Sequence, residues 1–260
     1  MVSEYLNHTR SILELDRLFE KDRKAAGAIA EIVFSQDISA AILTVSDITE
    51  VTNSRILADT QVASAKIAAS AEVHATALLA SAQTMRLKIQ NQEWSDPTRR
   101  EIDSSIVTEL ARRTEMEIKS SSRTAIDQIN AGARAAIVQI TENAKKSVED
   151  IESITGVISD EIKENARIAL AKLQDAQQSS RTPEAIAGAA EKAATEITDH
   201  ATSASLSLTE FVKETVAGMT KSADAAILLI SETVSRASER IVAARDKALE
   251  HVKDTLATRQ

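Results

Sequence analysis

Large apolar residues recur along this chain every eleven positions. Stepping from Phe34 gives Val45, Ile56, Ile67, Leu78 and Ile89; a second series runs Val107, Ile118, Ile129, Ile140, Ile151, Ile162 and Leu173; a third runs Ile186, Ile197, Leu208, Met219, Ile230, Ile241 and Val252. All twenty positions are large and apolar, although such residues make up only about a quarter of the chain, so chance does not produce the pattern. Eleven residues in three turns is about 3.67 per turn against about 3.6 for a straight helix, and a stripe of that period favours straight or gently right-handed rods. Positions four and seven after each anchor share its face. In the third series they are mostly alanine, as at Ala201, Ala223, Ala204 and Ala237, which lets helices approach closely.

The three series differ in phase, and each phase jump falls at a helix boundary. At the first, Trp94, Ser95 and Asp96 place a capping side chain directly before Pro97; at the second, Thr182 stands before Pro183. Proline is tolerated at the first position of a helix, where its missing N–H would be unpaired anyway, and it disfavours helix in the residue before it. Two such breaks predict three helices. The fold class expected is all-α: three very long amphipathic helices with an eleven-residue (hendecad) repeat, in an elongated coiled-coil or bundle architecture joined as antiparallel hairpins.

Residues 1–33 read as an N-terminal amphipathic segment that begins the first helix, with a capping box at Ser11 and Glu14. Residues 34–93 carry the repeat of helix 1, 97–178 form helix 2 and 183–258 helix 3, together one elongated helical domain. Each helix has about 80 residues and so spans ~120 Å.

Helix 1 has more apolar surface than one seam needs. Val51, Val62 and Val73 lie roughly opposite its anchors, with Leu57, Ala68 and Leu79 between. A helix apolar nearly all round is covered on several sides, so these positions are the expected face between subunits. Ala225 to Ile230 of helix 3 likewise exceeds a single stripe.

Composition sharpens this picture. Aromatic residues are 2% of the chain, with five glycines and two prolines among 260 residues. Few aromatics mean a thin core, and few turn formers mean few turns. There is no cysteine, which excludes disulfides and thiolate chemistry. The first residues lack the uninterrupted apolar core of a signal peptide. The most apolar stretch, 57–82, is interrupted by Asp59, Lys66, Glu72 and His74, whereas a membrane span needs about 20 predominantly apolar residues. A cytoplasmic protein without a transmembrane segment is expected. Lys and Arg number 31 and Asp and Glu 39, giving a net charge of -8. They are interspersed without a basic stripe, which disfavours nucleic acid as a partner.

Candidate chemistry is sparse. The four histidines are His8, His74, His200 and His251, and none has a glutamate three residues earlier, so the Glu-x-x-His pair of di-iron bundles is missing. Glu196 and His200 are one turn apart, a spacing common on charged helical faces; His74 lies near the anchor face and reads as a packed side chain. Glycine-rich phosphate loops and nucleophile turns are absent from the sequence. No catalytic, cofactor-binding or metal-binding residue is expected, and the protein reads as a non-enzyme.

Two resemblances follow from the repeat. Thr198, Thr209, Thr220 and Ser231 form an eleven-spaced hydroxyl row that resembles the ice-binding helices of some fish antifreeze proteins, although Val212 and Lys213 interrupt the flat alanine surface that such a function implies. In period alone the chain is similar to apolipoproteins, perilipin-type droplet coats, phasins and desiccation proteins. That similarity implies an amphipathic coat on lipid droplets, storage granules or vesicles. It is the alternative to the main expectation, a structural protein that self-associates into a homo-oligomer or polymer, building a filament, tube or scaffold by lateral packing of its helices.

Overall fold

The computed structural model describes residues 26–92, 96–178 and 183–257. Three long helices account for nearly all of them: α1 (Ala26–Asn91), α2 (Pro97–Gln178) and α3 (Pro183–Ala257). Among the described residues there is no strand. The protein is an all-helical bundle. The capping box at Ser11 and the cap at Thr182 lie outside the described residues.

Both prolines occupy the first helical position. At Pro97 the local chemistry is visible. The Asp96 carboxylate accepts a hydrogen bond of 2.9 Å from the Thr98 backbone N–H, and the Asp96 carbonyl accepts the first intrahelical bond, from the Arg100 N–H at 3.5 Å. The cap thus satisfies one of the orphan donors that every helix start leaves. At its other end α1 is described to Asn91, and the expected boundary at Glu93 lies outside the described residues.

The chain forms two compact units, each drawing a segment from all three helices. Of the described residues, one unit holds those up to 52 and between 139 and 221, the other those between 53 and 138 and from 222 onward. In the first, Ser205 donates to the Asp37 carboxylate at 2.8 Å, and Thr49 lies 3.4 Å from the Met219 sulfur. Residue numbers rise together along both helices, so α1 and α3 run parallel there. The second unit has the same α1/α3 sense, with Arg55 on Asp224 at 2.9 Å and Arg245 on His74 at 2.9 Å.

Within the second unit α2 runs opposite to both neighbours. A groove on the α1/α2 side is lined by Arg86 and Gln90 together with Arg100, Glu101 and Ser104. Another, between α2 and α3, is lined by Ser120, Thr124, Gln128, Thr233, Ala237 and Arg240. Glu72 acts on Lys119, whereas Arg86 and Gln90 share their groove with Arg100 and Ser104, so numbers rise on α1 as they fall on α2; α3 runs with α1, and α2 is therefore opposed to both.

Candidate assembly surface

The anchors sit in the interior of the units. Seventeen of the twenty have described side chains, and none is more than 6% exposed. Those of α1 run from Phe34 (3%) through Val45, Ile56, Ile67 and Leu78 to Ile89 (2%). Those of α2 are Val107, Ile118, Ile129, Ile140 and Ile151; those of α3 are Ile197, Leu208, Met219, Ile230, Ile241 and Val252. The side chains of Ile162, Leu173 and Ile186 lie outside the description.

Between the anchors the core is built of small residues. Ala63, Ala71, Ala75 and Ala82 are buried on α1, Ala111, Ala125, Ala133 and Ala144 on α2, and Ala201, Ala223, Ala237 and Ala248 on α3. Threonine serves the same purpose. Thr44, Thr60 and Thr209 are buried, and each hydroxyl donates to the carbonyl four residues back at 2.7 to 2.8 Å. The polar atom is satisfied by its own helix, so the methyl group faces the core at little cost.

The positions expected between subunits on α1 are exposed. Val51 is 57% exposed, Leu57 49%, Val62 53%, Val73 64% and Leu79 40%. Leu43 and Leu87 are exposed on the same helix. A second apolar spot lies on α3, where Leu228 and Leu229 face outward beside the buried Ile230. Single exposed apolar side chains are ordinary, but a contiguous row of them marks an interaction surface or an aggregation liability.

Among the described residues no group of three His, Asp or Glu side chains could hold a metal ion, and Glu196 and His200 are both exposed. His74 packs at the α1/α3 contact of the second unit. Arg245 has only donors, so at this contact the His74 Nδ1 atom accepts. Arg245 also donates to Asp246. The threonine row of α3 is not one surface: Thr209 is buried and Thr198 half-buried, whereas Thr220 and Ser231 are exposed.

Charged pairs decorate the outside. The Arg167 guanidinium gives Glu164 two hydrogen bonds of 2.7 and 2.8 Å and holds its carboxyl below the usual range. The Glu115 carboxylate accepts from Lys119 and raises the ammonium pKa, with a smaller contribution from the charge of Glu72. Such solvent-facing pairs fix local side-chain order and add little stability.

Two features of the interior escaped the sequence reading. Asp37 is 2% exposed and accepts from the equally buried Ser205, and Asp103 is 1% exposed near the start of α2. An aspartate on a charged amphipathic helix reads as solvated. Its burial depends on which neighbouring helix reaches over it, and no local spacing encodes that.

Among the described residues no helix is long and apolar enough to cross a membrane. Compared with known proteins, the chain matches no protein-family model and no curated protein sequence.

Proposed function

We propose that the protein is a structural, self-assembling one whose long helices pack laterally against further copies to build a filament, tube or scaffold. The observation that carries this reading is the outward row of Val62, Val73 and Leu79 on a helix whose opposite face is already buried. Apolar area of this kind gains about 25 cal/mol for each Å² removed from water. A long, regular helix face is followed along its length by another helix.

Negative-stain electron microscopy of the purified protein tests the proposal, and ordered polymers are the expected result. Val62→Glu should leave the helical circular-dichroism signal intact and abolish those polymers, since residue 62 faces away from the core. A parent protein that sediments as a monodisperse monomer at high concentration contradicts the proposal. Flotation with neutral-lipid emulsions separates it from a coat function, in which the same face would lie on lipid.

A further inference from the structure

The outer face of α1 in the second unit repeats the geometry of its inner face. The inner seam runs Ile56, Thr60, Ala63, Ile67, Ala71, His74 and Leu78, with steps of four, three, four, four, three and four; His74 is half-buried and the others are buried. Two positions further along, Ala58, Val62, Ala65, Ala69, Val73, Thr76 and Ala80 have the same steps and are all exposed. Two residues correspond to about 200° around a helix, so the two seams lie on opposite sides. One is covered by α2 and α3; no described residue of the unit covers the other.

Charge is nearly cleared from this surface. Of the exposed side chains between 53 and 91 only Arg55, Lys66, Glu72 and Lys88 are charged, whereas ten exposed charges stand on α2 between 97 and 138. The four that remain are sorted by side. Arg55, Lys66 and Lys88 are separated by multiples of eleven and form a row on the flank towards α3, where Arg55 meets Asp224. Glu72 shares the other flank with Gln61 and Gln83, towards α2, where its charge acts on Lys119.

We infer that this face pairs with the same face of a second copy, α1 against α1 and parallel, about a twofold axis running along the helices. The inference rests on the assembly reading above and specifies its contact. An eleven-residue seam is matched along its length by a helix of the same period, because a seven-residue pattern drifts by about 20° per heptad relative to a straight helix. In the parallel pair the basic flank of each copy faces the flank of its partner that carries the glutamate. In an antiparallel pair the basic row would face itself, which costs free energy. A closed twofold also fixes the register, residue against identical residue, and it uses this face up in one pair, so polymers grow from such pairs through a second surface such as the exposed Leu228 and Leu229 of α3.

The seam from Ala58 to Leu87 is about 45 Å long and about 10 Å wide, so a pair buries on the order of 900 Å² in total. That is at the low end for specific interfaces, and pairing is therefore concentration-dependent.

The absence of cysteine allows a direct test in the full chain. Ala58→Cys, Ala69→Cys and Ala80→Cys are made singly and treated with a short bismaleimide at high protein concentration, with Glu117→Cys on α2 as the collisional background. Parallel pairing predicts that each of the three links to itself at similar yield, well above background. Adding Val62→Glu should lower that yield at least tenfold with helicity unchanged. Self-linking at residue 69 alone, with residue 58 linking only to residue 80 in mixtures, means an antiparallel pair and overturns the inference. Background linking throughout alongside ordered polymers in the microscope overturns this contact and leaves the assembly reading standing. Background linking with a monomeric parent removes both. Flotation on lipid emulsions that Val62→Glu abolishes, with no linking, assigns the face to lipid instead.

Discussion

At the scale of the residue, a thin core of large anchors and small spacers makes each anchor matter. Ile140 and Ile230 are 1% and 6% exposed, so Ile140→Asp or Ile230→Asp would place a carboxylate among apolar groups. Either change should destabilise the protein by about 4 kcal/mol or more, through the desolvation of an unpaired charge, and thermal melting followed by circular dichroism measures it. If both variants melt like the parent, those anchors do not hold the core. The buried hydrogen bond from Ser205 to Asp37 predicts a smaller effect. Ser205→Ala removes a donor from a buried carboxylate and should cost about 1 to 3 kcal/mol. Replacing both residues by apolar ones of similar volume should recover much of that loss, and urea denaturation of the two variants compares them.

Helix starts and helix faces set the next level. Asp96 holds the Thr98 N–H at the start of α2, and Asp96→Ala should cost about 1 kcal/mol, read as a shift in the denaturation midpoint at unchanged slope. Exposed intrahelical ion pairs have a defined sign with pH. The Glu164 carboxyl is lowered by Arg167, so its stabilising contribution is present above the usual carboxylate range and fades as pH falls through the lowered value. Lys119 is raised by Glu115, and its contribution is lost only as pH rises above the usual lysine range. Both groups face solvent, so moderate salt should flatten both dependences. Stability that still changes strongly with pH in salt would point to another group. At this scale α1 differs from its neighbours: the same helix offers two seams, one filled and one open.

The whole molecule combines two compact units in which segments of the same three helices meet. Each unit is closed by anchors, alanines and threonines, and the exposed row on α1 is the surface from which assembly is predicted. A lateral contact of that kind is apolar at its centre, so polymers should survive moderate salt yet be lost in Val62→Glu. The eleven-residue recurrence of Ile, Leu and Val makes long helices legible in the sequence, because period and burial are tied by the geometry of the helix itself. The two proline steps were equally legible, since a ring that fixes φ and lacks an N–H admits few places in a helix. Which helices run parallel and why Asp37 is buried depend on how segments more than a hundred residues apart come to lie side by side. A one-dimensional pattern names the sticky faces of a helix. Only three-dimensional packing decides which helix covers each face and in which direction it runs, because the same stripe accepts a parallel or an antiparallel neighbour.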